Sequence, residues 1–173
     1  MSAAKWNRKL HRWGAVLVAA PVLVIIVTGV LLQLKKEWSW IQPPTMAGTV
    51  ENELALSWDQ VLEAVKGVPQ AEVETWSDID RLDVRPGKGM LKVRANNRWE
   101  VQLDTTTGEV LASSHRRSDL IEAIHDGSWF HDRAKFWIWL PTAFILCGLW
   151  GTGVYLWLLP HLIKRRRKLK DPR

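Results

Sequence analysis

The chain has a single cysteine, Cys147, in its 173 residues. One thiol closes no internal disulfide, so packing alone must hold whatever lies outside the reducing compartment. There is no H-E-x-x-H, no glycine-rich phosphate loop and no C-x-x-C. That leaves no recognisable zincin, nucleotide-loop or dithiol chemistry, and no nicotinamide or flavin signature. Ser, His and Asp occur, but no spacing marks a nucleophile. Charge is missing from two long stretches. Residues 13–34 (WGAVLVAAPVLVIIVTGVLLQL) and 136–163 (FWIWLPTAFILCGLWGTGVYLWLLPHLI) contain no Asp, Glu, Lys or Arg. About 20 apolar residues cross the hydrocarbon of a bilayer, so each predicts a transmembrane helix. Mean hydropathy is near zero because a polar middle offsets the two apolar ends. The first run is longer than a signal-peptide core and is followed by LKKEW rather than a small-residue cleavage site, so an uncleaved helix is expected.

Charge sets the expected topology. Residues 1–12 and 164–173 together hold eleven Lys/Arg and one acid, net +10, whereas residues 35–135 hold 13 Lys/Arg and 17 Asp/Glu, net −4. Short Lys/Arg-rich flanks stay in the cytoplasm. The expected order is a cytoplasmic N-terminus (1–12), a first span (13–34), an extracytoplasmic domain with linkers (35–135), a second span (136–163) and a basic cytoplasmic tail (164–173). The basic charge lies beside the spans, so it reads as a topology signal and contact with lipid headgroups, not as a nucleic-acid surface. Twelve tryptophans fit interfacial belts: Trp6, Trp13 and Trp157 at the inner end, and Trp38, Trp40, Trp129, Trp137 and Trp139 at the outer.

Inside the middle region, PPTMAG (43–48) reads as a linker. LSWDQVLEAVKGVP follows, with Ser57 and Gln60 as a capping box and Trp58, Val61, Leu62 and Val65 on one helical face. The period then changes to two. RLDVRP (81–86), MLKVRA (90–95) and RWEVQLD (98–104) predict strands, with EVLAS (109–113) as a weaker fourth. Turns of PGKG, NN and TTTG join them. Leu, Val and Trp face a helix, and Arg, Lys, Glu and Asp face outward. A second short helix is expected from Ser118, ending at Gly127.

RKLHRWGAVLVAAPVLVIIVTGVLL, LIEAIHDGSWF and GLWGTGVYLWLLPHLIKRRRK resemble the PepSY-associated transmembrane family. The helix-plus-hairpin unit ending in WEVQLDTTTGEVL resembles a PepSY domain. The most specific pieces are H-R-W before the first span and the H-x-G-x-x-F of HDGSWF before the second. The likeness covers nearly the whole chain, although larger family members have more membrane helices. The fold class expected is an α+β membrane protein, two transmembrane helices flanking a small helix-plus-antiparallel-sheet PepSY-like extracytoplasmic domain. The resemblance implies a bacterial inner-membrane protein with a periplasmic middle. It also implies b-type haem held between helices by histidines, in a system that reduces ferric siderophores. His11 and His125 match the family's histidine positions and are the expected iron ligands. The partners implied are lipids, a second copy or another membrane subunit, and a ferric chelate or other periplasmic acceptor. A second reading is a non-enzymatic anchored PepSY module that binds or regulates an envelope peptidase or another partner.

Two of the remaining histidines enter as cofactor candidates. A span of 22 residues rises roughly 30 Å, so His11 and His125 cannot share one iron. His161, at a depth like that of His11, is one inner partner; a second copy of His11 is the other. At the outer face His125 pairs with its own copy or with His131, six residues on, which in a continuous helix points about 240° away. Each histidine also has a plainer reading, as interfacial anchor or structural residue. Thr28, Gly29, Gly148, Gly151, Thr152 and Gly153 are small residues that favour close helix packing.

Overall fold

The computed structural model describes residues 3–49 and 56–170. The chain divides into two compact units, residues 1–29 with 123–173, and residues 30–122.

The first unit is built on two long helices. Helix α1 runs Ala3–Gln33 and contains Pro21. The last helix (Leu140–Lys170) contains Pro160. It is entered through a π turn, Lys135–Trp139, in which the Leu140 N–H donates to the Lys135 carbonyl. That wide turn stands directly before Pro141, which has no N–H to give. His11 meets Thr152 and Gly14 lies against Leu149, so the two helices run antiparallel. Both pass the length and composition of a membrane span. Their large apolar side chains point outward: Leu17 is 71 % exposed, Phe144 70 % and Trp150 75 %. A lipid phase is the environment that covers such a surface.

The second unit is a four-stranded antiparallel meander in the order β1 (Ile79–Arg85), β2 (Met90–Ala95), β3 (Trp99–Asp104), β4 (Val110–His115). Register is fixed by pairs such as Val93 with Val101 and Leu91 with Leu103. The weak fourth strand is present and continues to His115. Helix α2 (Trp58–Lys66) has the expected cap. The Gln60 N–H donates to Ser57 Oγ at 3.3 Å, and the Ser57 N–H donates to Gln60 Oε1 at 2.8 Å. Val61 and Val65 of α2 are buried against Leu91, Val93, Val101 and Leu103. Each buried valine contributes about 1.5–3 kcal/mol. Trp58, expected on this face, is exposed and meets Trp76 edge-on at 6.1 Å.

The outward face of the sheet departs from expectation, because it is covered. The expected linker, residues 43–48, forms with Thr49 a strap across it. Met46 N–H donates to Gln102 Oε1 (2.8 Å), Gln102 Nε2 to the Pro44 carbonyl (2.8 Å) and Thr49 N–H to Asp104 Oδ2 (2.7 Å). Ile41, just before the strap, is fully buried. Gly48 permits the approach: a Cβ there would stand 2.2 Å from the Gly89 carbonyl oxygen. Lys92, Glu100 and Gln102, expected in solvent, are therefore enclosed. Glu100 bonds Lys92 at 2.9 Å and Arg116 at 2.8 Å, and Arg116 also holds Asp119 at 3.1 Å. Buried charges persist only when paired in this way. Helix α3 (Arg117–Asp126) begins at this network, and the last helix, named above, is α4.

Candidate functional site

His11 and His125 occupy matching environments within the first unit. His11 Nδ1 lies 2.8 Å from Thr152 Oγ1, and His125 Nδ1 lies 2.9 Å from Thr28 Oγ1. Each threonine hydroxyl has one proton, and each donates it to its own helix. Thr152 bonds the Leu149 carbonyl at 3.0 Å, and Thr28 bonds the Val24 carbonyl at 2.6 Å. The hydroxyl oxygen must then accept from the imidazole. With the hydroxyl protons on the helix carbonyls, the matching imidazole tautomer carries its proton on Nδ1 and a lone pair on Nε2. Neither Nε2 has a hydrogen-bond partner among the described residues. A histidine whose Nδ1–H is fixed by an acceptor is oriented for metal ligation through Nε2.

A glycine follows each threonine. A Cβ on Gly153 would stand 3.6 Å from His11 Cε1, and one on Gly29 would stand 3.4 Å from His125 Cε1. Thr-Gly-Val thus recurs at 28–30 and 152–154, each copy seating a histidine from elsewhere in the chain. The two sites stand far apart along α1: His11 and Thr28 are 17 residues apart, roughly 25 Å.

Each site borders an apolar hollow. Around His11 it measures about 630 Å³, with walls of Trp13, Gly14, Leu17, Ile145, Gly148 and Leu149. Around His125 it measures about 380 Å³, with Ile25, Phe136, Trp139 and Leu140 in its walls. Both volumes fall within the range of small-molecule and cofactor sites, about 300–1,000 Å³.

The approach of α3 to α4 aims His125. Trp139, expected in the interfacial belt, donates Nε1–H to the His125 carbonyl at 2.8 Å. Gly127 takes φ +85°, and a Cβ there would fall 2.6 Å from the Trp139 ring. Phe130 packs on the same ring at 5.2 Å. Asp126 holds Lys135 at 2.6 Å and caps Ser128, whose hydroxyl and N–H donate to Oδ1 at 2.6 and 2.9 Å. Burial raises the Asp126 carboxyl, but the Lys135 and Ser128 hydrogen bonds outweigh it and bring the group down to about 2. The H-x-G-x-x-F residues thus act as one positioning device.

The other histidines do not join these sites among the described contacts. His161 is exposed, 3.3 Å from the Trp157 carbonyl and tilted against the Trp157 ring at 5.5 Å. It lies nine residues beyond Thr152, half a turn round α4, so it faces away from the His11 site. His131 is exposed, and its Nδ1 accepts the Arg133 backbone N–H at 3.0 Å. His115 packs edge-on against Trp99 at 5.9 Å. No group of three or more metal-ligating side chains occurs among the described residues.

The match that bears on these sites runs from just before His11 through both spans: the PepSY-associated TM region family model covers residues 8–171. The chain belongs to the PepSY-associated TM family. No curated protein and no solved structure matches it. Both histidine–threonine pairs of this PepSY-associated protein fall inside the matched region. Sequence reasoning singled out His11 and His125 as candidates but took Thr28 and Thr152 only as small packing residues. The repeated Thr-Gly-Val was the signal for their role.

The donor set suits haem in part. Each end offers one imidazole nitrogen with a free lone pair, an oriented ring and an apolar hollow. A haem held by two histidines would draw the second from beyond the contacts described for this chain.

Proposed function

We propose that this PepSY-associated protein is a haem b-binding electron-transfer subunit of the bacterial inner membrane, working as a dimer. The observation that supports it most is the paired arrangement of His11 on Thr152 and His125 on Thr28, which leaves a lone pair on each Nε2. Haem, when bound, supplies one-electron redox chemistry. His11 and His125 are the ligating residues, one at each end of the span. Thr152 and Thr28 hold the imidazoles in the ligating tautomer. Gly153 and Gly29 let the rings lie against the helices, and the apolar walls exclude water. A symmetric second copy brings its own His11 and His125 to the same two depths and makes a four-helix frame. Ligand nitrogens at both ends of the span fit an electron-transfer role better than a reaction confined to one face. The Lys/Arg-rich flanks support a cytoplasmic N- and C-terminus and a periplasmic sheet domain. A ferric chelate or another periplasmic acceptor is the electron sink on this reading.

Haem content of single variants tests the assignment. In protein purified after expression with ample haem, His11→Ala and His125→Ala should each lose about half of the wild-type haem, and the double variant all of it. A double variant that keeps its haem would refute the ligand assignment.

A further inference from the structure

The sheet domain holds a group of guanidinium side chains that the histidine sites do not use. Arg81 on β1, Arg94 on β2 and Arg98 in the β2–β3 turn line a cavity of about 220 Å³, with Asp80 and Asp119 also in its wall. Both acids are already committed. Asp80 lies 3.0 Å from Arg81, and Asp119 lies 3.1 Å from Arg116. Glu100 is held by Lys92 and Arg116. Arg94 is left over. Its Nε is enclosed without a hydrogen-bond partner among the described residues, and Glu100 Oε2, at 3.7 Å, is beyond hydrogen-bond range. Burial first, then the charges of Arg116 and Arg81, pull its guanidinium below the ordinary arginine value, against the opposing charges of Asp119 and Glu100.

Arg98 adds an independent observation. It takes φ +69°, the left-handed region that glycine or asparagine normally fills. The turn requires that conformation: Arg98 N–H donates to the Ala95 carbonyl, and its own carbonyl accepts from Arg116 N–H. Glycine would make the same turn without strain, yet the position carries an exposed guanidinium at the cavity rim, with no acid within ion-pair distance among the described residues. Strain held at one residue is a pointer to a role for its side chain.

We propose that this cavity binds a small multi-oxygen anion, a carboxylate or phosphate group gripped by Arg94 and Arg98 with Arg81 in the wall. Guanidinium forks match the oxygens of either group in bidentate fashion. The volume equals that of about seven liquid waters at ~30 Å³ each, enough for inorganic phosphate, a tricarboxylate or the anionic arm of a larger ligand. The inference stands whether or not haem binds.

Calorimetric titration of the full chain in mild detergent tests it, with citrate and inorganic phosphate as separate probes and chloride holding ionic strength constant. Saturable binding at one site per chain is expected for at least one probe; citrate binding alone assigns a carboxylate ligand, phosphate binding alone a phosphoryl one. Arg94→Gln and Arg98→Gly should each weaken binding tenfold or more. Arg98→Gly should do so with an unchanged or raised melting temperature, because glycine adopts the turn freely, which separates lost binding from lost fold. Absence of binding by either probe, or wild-type affinity in Arg98→Gly, would overturn the proposal.

Discussion

Replacing Glu100 with Gln keeps the shape of the side chain and removes the one anion that neutralises Lys92. Lys92 is 1 % exposed and Glu100 is 0 % exposed, with 2.9 Å between them. Burial already pulls the Lys92 ammonium below its ordinary value, and the Glu100 hydrogen bond and charge act to keep it protonated. Arg116 retains Asp119 after the change, but Lys92 has no other acid within ion-pair distance among the described residues. Breaking a buried pair by removing one partner costs about 3–5 kcal/mol. Domains are stable by about 5–15 kcal/mol in total, so the loss is a large share. Three kcal/mol corresponds to about a hundredfold in an opening equilibrium. Hydrogen exchange by mass spectrometry on the full chain reads this locally. Amides of β2 and β3 should lose protection by about a hundredfold, while those of α1 keep theirs. Lys92→Met added to Glu100→Gln should recover part of the loss, because the stranded charge is gone. Wild-type protection in Glu100→Gln would show that the network contributes nothing, and the account of the covered sheet face would fail.

Three further outcomes follow from other contacts. Thr152→Val and Thr28→Val remove the acceptor that orients each imidazole, and should weaken haem retention about 10–100-fold, read as haem lost during dilution; retention equal to wild type would contradict the orienting role. Gly48→Ala places a Cβ 2.2 Å from the Gly89 oxygen, so the strap must lift, at about 1–3 kcal/mol, seen as faster exchange at Met46 and Thr49; unchanged exchange there would refute the close approach. Asp126 has a carboxyl lowered to about 2, so its ion pair with Lys135 contributes fully above the ordinary carboxylate value near 4 and is lost as pH falls from there towards 2; Asp126→Asn should abolish that part of the acid sensitivity, and a variant with the wild-type acid profile would exclude the linkage.

The spans were legible because a charge-free run of more than 20 residues has one plain reading. The inward sheet face was legible because Leu91, Val93, Val101 and Leu103 alternate with polar residues. The same alternation hid the outward face. Lys92, Glu100 and Gln102 read identically whether water or a strap covers them, and residues 43–49 have no periodicity to announce a strap. Trp139 carries an interfacial signature in sequence, yet its ring is spent on Gly127 and the His125 carbonyl. The two histidines were singled out as candidates through motif resemblance. Their threonine partners lie 141 and 97 residues away, and contacts at that separation leave no local pattern, only the repeated Thr-Gly-Val.

The most direct measurement is a dithionite-reduced minus oxidised absorbance spectrum of the wild-type protein, purified in mild detergent after expression with ample haem. A sharp reduced α-band and a shifted Soret band at a stoichiometric haem-to-chain ratio are the result predicted. A featureless spectrum from well-folded protein would contradict the haem assignment and leave His11 and His125 as helix-packing residues.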